Sequence, residues 1–94
     1  MQLFYTERFR KSYDNAPAVI QGAFDRRVAL LLADIRHPSL RAKKYSEAQD
    51  IWQAQVTRDW RFYFTIKGDT YYLLDIIPHP KWDNTYLLFF LSVV

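Results

Sequence analysis

Between Ile20 and Ile35 the large apolar residues recur three and four apart: Ile20, Phe24, Val28, Leu31, Leu32 and Ile35, with Gln21, Asp25, Arg26 and Asp34 off that stripe. This period predicts an amphipathic helix. Its start is expected at Asn15 or Ala16 as the cap, with Pro17 in the first turn. It ends at His37-Pro38, because the residue before a proline is pushed out of helical backbone. Upstream, Gln2-Leu3-Phe4-Tyr5 alternates like a short strand, and Thr6 offers an N-cap to a short helix edged by Phe9 and Tyr13.

After residue 50 the period changes from helical to two. Trp52, Ala54 and Val56 alternate with Gln53, Gln55 and Thr57; Trp60, Phe62, Phe64 and Ile66 alternate with Arg61, Tyr63, Thr65 and Lys67. Tyr72, Leu74 and Ile76 then alternate with Tyr71, Leu73, Asp75 and Ile77. Three strands, each with one face on a core, follow from this pattern. Arg58-Asp59 forms the first turn and Gly68-Asp69-Thr70 the second. Residues 36–50 lack periodicity and read as a basic loop. The expected architecture is α+β: an N-terminal strand and two helices packed on one face of a small, mainly antiparallel sheet.

Keeping the large apolar residues on one face pairs Phe64 with Leu74 and Phe62 with Ile76, closing the hairpin on a three-residue loop. The same register sets Tyr63 opposite Asp75, Arg61 opposite Ile77, and His79 near Asp59. Arg61 and His79 are then diagonal neighbours, roughly 7–8 Å apart, on the face that the helices leave open.

Composition bounds the rest. A chain of 94 residues, half of them apolar and seventeen aromatic, is expected to be one domain (residues 1–94) and cannot be disordered. With no Cys, disulfide and thiolate chemistry are excluded. The longest apolar run, Tyr86 to Leu91, is six residues against the ~20 that span a bilayer. No leader is visible after Met1, so a soluble cytoplasmic protein without membrane association is expected. Residues 83–94 form an apolar tail, read either as a further strand or as a segment that docks on a partner.

Charge is uneven. Residues 36–67 carry +4, against +1 before them and −2 after. Such a basic segment suits a polyanion, although a solvated face has the same composition. Strand transesterification of RNA needs a base for the 2′-OH, a cation on the phosphorane and an acid at the leaving oxygen. His79 is the strand-end group that titrates near neutrality. Arg61 can grip a phosphate with two N–H groups, and Arg41, Lys43 and Lys44 add charge. The competing reading pairs Arg61 with Asp59 or Asp75 and leaves His79 as a turn residue. His37 reads as structural at a helix end. Trp82 and Tyr86 read first as packing on a core or partner, with base stacking as the alternative.

Three stretches carry a resemblance: Arg36-His37-Pro38-Ser39-Leu40-Arg41-Ala42-Lys43-Lys44, the run from Ile51 through Arg61 to Phe64, and Gly68-Asp69-Thr70-Tyr71 leading to His79. Together with the element order they resemble the RelE/ParE family of bacterial toxins over about residues 1–81. The resemblance implies a ribosome-dependent endoribonuclease that cleaves mRNA in the A site of the small ribosomal subunit. It implies catalytic roles for Arg61 and His79 and RNA contacts from Arg41, Lys43, Lys44, Arg58 and Lys81. The carboxylates show no metal-ligand spacing, so neither a metal ion nor a cofactor is expected. A cognate antitoxin is the implied protein partner, in a hetero-oligomer or beside a homodimer. Two positions depart from the YoeB-like members: Ala42 stands where they have a Glu base, and Pro80 where they have a Tyr. Glu47 and Tyr86 are the nearest substitutes. ParE-like inhibition of DNA gyrase, or a relic that only binds antitoxin, are the other readings this family allows.

Overall fold

The computed structural model describes residues 1–79. Its elements are β1 (Gln2–Tyr5), α1 (Glu7–Asn15), α2 (Ala18–Ala33), a 3-10 turn (Pro38–Leu40), β2 (Lys43–Ser46), β3 (Ile51–Thr57), β4 (Trp60–Lys67) and β5 (Thr70–Pro78). The five strands form one sheet in the order β1-β5-β4-β3-β2. Only β1 runs parallel, alongside β5; the remaining pairs are antiparallel. The fold is α+β, as the sequence pattern predicts.

Local chemistry explains the helix ends. The Phe9 N–H donates to the Thr6 hydroxyl oxygen (3.2 Å), which caps α1, and the same hydroxyl donates to the Leu73 carbonyl (2.8 Å). One side chain thus starts the helix and ties it to β5. Asn15 belongs to α1, Ala16 closes it, and Pro17 takes the cap position of α2 rather than its first turn. The second helix ends at Ala33, earlier than the proline signal implies.

Both helices bury their stripes on one face of the sheet. Phe9 and Phe24 meet Phe62, Phe64, Leu73 and Ile76, and the Phe24 and Phe62 rings pack edge to face at 5.2 Å. Arg27 Nε donates to the Val56 carbonyl (3.1 Å) and fixes α2 over β3.

Three expectations about the sheet are corrected. The segment 36–50 is not a plain loop: Pro38–Leu40 make a 3-10 turn that plants Leu40 in the core at 0% exposure, and β2 pairs with β3. A four-residue strand with two lysines at a sheet edge is too short to show a period, and its charges discourage further pairing. The second correction concerns register. Phe64 faces Leu73, not Leu74, and the hairpin closes on two residues, Gly68 and Asp69. Gly68 takes φ +59 at the first central position, which a tight right-twisting hairpin requires and which glycine adopts without strain. The turn therefore sets the register at one end, while Phe62–Ile76 sets it at the other. A bulge at Leu74 absorbs the difference. As a result Tyr71 and Leu73 enter the main core, and Leu74 joins Ile51 and Tyr63 in a second cluster, against which Tyr45 and Ile77 pack.

That cluster corrects the picture of a bare outer face. Tyr63 is fully buried on it, and its hydroxyl accepts from Gln53 Nε2 (3.0 Å). Among the described residues no helix is long and apolar enough to cross a membrane. The apolar tail, residues 83–94, lies outside the described residues.

Candidate functional site

The β3–β4 turn builds the site. Arg61 sits in β4 between Gln55 of β3 and Ile77 of β5, near the bulge where Trp60 faces Thr57. Its side chain folds back on the turn. Nη1 donates to the carbonyls of Thr57 (2.7 Å), Arg58 (3.0 Å) and Trp60 (3.0 Å). Among the described residues its other guanidinium nitrogens carry no hydrogen bond, so the turn anchors the fork through one nitrogen.

The register places His79 beside the same turn. Trp60 faces Pro78, a residue without an N–H, and the next N–H, that of His79, donates to the Asp59 carbonyl at 2.7 Å. The side chain is exposed. Partial burial and then the neighbouring Arg61 and Lys43 charges hold its pKa below the ordinary value, with Asp59 opposing them. Burial lowers the Arg61 pKa, with Arg41 acting in the same direction. The electrostatics therefore identify one basic group: Arg41, Lys43, Arg61 and His79.

The remaining predicted residues scatter. Asp59 pairs with Arg58 (3.6 Å) instead of Arg61, and both members of that pair are exposed. Asp75 accepts from the Ile76 N–H (2.9 Å) and is held by Ser12 of α1, away from Arg61. Lys43 and Lys44 are successive strand residues, so they point to opposite faces. Lys43 pairs across from Gln53; Lys44 pairs across from Trp52 and lies over its ring at 5.3 Å. Lys44 is further engaged by Asp50 (2.6 Å) and Glu47 (3.8 Å). Glu47 thus stands in the β2–β3 turn with Lys44, not with His79. Arg41 leaves the 3-10 turn in left-handed backbone, at φ 47. Lys81 and Tyr86 lie outside the described residues, as does Trp82.

Periodicity did not single out Gln53 and Tyr63 as a pair, since each reads as a polar-face residue. Their hydrogen bond gives that face a fixed floor. Tyr63 is fully enclosed, with its phenol pKa raised chiefly by burial, so it stays neutral and is no substitute for a solvent-facing acid. Among the described residues no three His, Asp or Glu side chains gather as a metal site would need.

No family model and no curated protein matches the sequence. Its fold does match solved structures. A YoeB/ParE toxin from Agrobacterium tumefaciens superposes with a TM-score of 0.73 at 13% identity, covering 85% of this chain and 100% of the other. The archaeal RelE in its complex with RelB from Pyrococcus horikoshii gives 0.71 at 13% identity, covering 86% and 97%. The E. coli RelBE toxin–antitoxin complex gives 0.66 at 11%, covering 85% and 98%. The chain has the RelE/ParE-like toxin fold. Identities this low establish the fold and leave activity to the site.

Proposed function

We propose that this protein is the toxin of a toxin–antitoxin pair and acts as a ribosome-dependent endoribonuclease. The observation that carries the reading is the Arg61–His79 arrangement on the β3–β4 turn: one guanidinium edge anchored to carbonyls, and an imidazole beside it whose protonation two cations oppose.

A lowered pKa leaves His79 neutral at pH 7, the form that acts as a general base. In this reading it takes the proton from a 2′-OH as that oxygen attacks the adjacent phosphorus. The free edge of Arg61, with Lys43 and Arg41, neutralises the charge that grows on the phosphorane oxygens. The P–O5′ bond breaks, the leaving oxygen takes a proton from solvent, and a 2′,3′-cyclic phosphate and a 5′-OH remain. Ala42 and Pro80 at the two departing positions put the base role on His79 alone. Arg58 extends the RNA track, Lys81 is a further RNA contact in this reading by its family position alone, and the ribosome supplies a fixed mRNA conformation. The cytoplasm, where ribosomes are, is the site of action.

The partner is an antitoxin, as the fold shared with toxin–antitoxin complexes supports. Translation in a purified system tests the activity. Cleavage of mRNA that requires ribosomes and yields cyclic-phosphate ends is expected, and R61A and H79A should each slow it by about a hundredfold or more. Intact mRNA together with gyrase-dependent DNA breaks would replace the nuclease with a gyrase inhibitor.

A further inference from the structure

A cavity of about 340 Å³ opens between the end of β1 and the two helices, on the helix side of the sheet. Tyr5, Phe9, Tyr13 and Phe24 wall it, with Arg10, Asp14 and Asp25 at its edges. Ring centroids lie close together: 5.4 Å for Tyr5–Phe9, 5.0 Å for Phe9–Phe24 and 5.9 Å for Tyr13–Phe24. Phe9 and Phe24 form the buried floor, while Tyr5 and Tyr13 are half exposed.

The mouth is electronegative. The Tyr13 hydroxyl donates to both oxygens of Asp25, at 2.9 and 3.1 Å, which holds the carboxylate in one plane. Asp25 also raises the Tyr5 pKa, after burial, so that phenol lies within its field. Among the described residues neither Asp14 nor Asp25 forms an ion pair, and two carboxylates against one guanidinium, Arg10, leave the lining with an excess negative charge. Ring faces carry negative charge, so an aromatic cavity with an unpaired carboxylate at its mouth attracts a cation.

We propose that this cavity is a receptor for one arginine side chain presented by a partner polypeptide. Its size lies at the small end of ligand cavities, which suits a single side chain more than a whole metabolite. A guanidinium stacks on aromatic faces, is weakly hydrated, and can meet the free lone pairs of the oriented Asp25 carboxylate as a fork. An ammonium gains less from flat walls. The mouth is open, and its exposed charges, Asp14 and Arg10, can meet the flanking backbone of a peptide. Nothing in this site uses Arg61 or His79, so it stands whether or not the chain cleaves RNA.

Binding of capped arginine (acetyl-arginine methylamide) to the full chain tests it, with capped citrulline as the neutral isostere, and Tyr5 and Tyr13 ring resonances as the reporters. Capped arginine is expected to bind at least about tenfold more tightly than citrulline, and D25N should erase that preference with the melting midpoint kept. Equal binding of arginine and citrulline would overturn the proposal, as would shifts confined to rings outside the cavity. Capped lysine binding as well as arginine would overturn the guanidinium assignment. Tight binding of free guanidinium ion, with no gain from the side-chain stem, would overturn the polypeptide source. Should D25N fail to fold, the arginine–citrulline comparison on the unaltered chain decides alone.

Discussion

Arg61 and His79 divide one turn between them: four successive carbonyls, from Thr57 to Trp60, accept hydrogen bonds from these two residues. Nη1 of Arg61 takes Thr57, Arg58 and Trp60, and the His79 N–H takes Asp59 at 2.7 Å. The turn is thereby a rigid mount, and each residue helps to orient the other. The structural and the chemical readings of Arg61 are compatible, because anchoring uses one nitrogen and leaves the rest of the fork.

A lysine at this position would test that division. R61A removes a charged donor from three carbonyls and should cost about 1–3 kcal/mol, lowering the melting midpoint by roughly 4–8 °C per kcal/mol. R61K keeps a charge but has no second edge once its ammonium folds onto the turn. Activity should fall by about 10²–10³ in R61A, and R61K should recover stability more than cleavage. Full cleavage by R61K would show that the fork is not needed.

His79 supplies a pH prediction. In the unfolded chain it titrates near its ordinary 6.5, and in the folded chain lower, through burial, then Arg61, then Lys43. Between those two values the unfolded state binds more protons, so stability is present above 6.5 and declines as pH falls through that window. Cleavage should lose rate over the acid limb where the imidazole charges. Removing one opposing cation, in R61A or K43A, should move the His79 Cε1–H titration to higher pH by NMR. An unmoved midpoint in both variants would separate His79 from the basic group.

The two adjacent lysines should behave differently. Lys43 faces the Gln53 side, within the field of His79, whereas Lys44 is held by Asp50, Glu47 and the Trp52 ring. K43A should weaken RNA binding and reduce the salt slope by about one. K44A should leave that slope nearly unchanged and act on the β2–β3 turn instead. The plot of log affinity against log salt, measured for both variants, checks this.

Much of this arrangement was legible before the structure. The 3.6 period of Ile20, Phe24 and Val28 and the alternation of Phe62 and Phe64 gave the layers, and Phe62–Ile76 gave the register that sets Arg61 across from Ile77. What periodicity misses are the places where a local device overrides it. A glycine at φ +59 tightened the hairpin to two residues, and the bulge at Leu74 then moved Tyr71 and Leu73 inward. β2 is too short for a pattern, and it was this strand that split Lys43 from Lys44. The backbone bonds of Arg61 are invisible in sequence because carbonyls have no residue type.

Asp75 gives the opposite pH signature to His79. It is 1% exposed beside Leu74, and desolvation outweighs the Ser12 and Ile76 hydrogen bonds and the Arg8 charge, so its pKa is raised above the ordinary 3.8. The folded chain therefore holds the Asp75 proton more tightly than the unfolded one. Its contribution to stability is complete below 3.8 and is lost as pH rises through the folded-state value. An asparagine keeps an oxygen acceptor for the Ser12 hydroxyl and the Ile76 N–H without a charge to desolvate. D75N should thus equal or exceed the parent in stability at pH 7, and its advantage should shrink as pH falls toward 4. Denaturant midpoints across that range check the slope. A D75N chain that is much weaker at pH 7 would mean that the Arg8–Asp75 attraction, and not desolvation, sets the balance between α1 and β5.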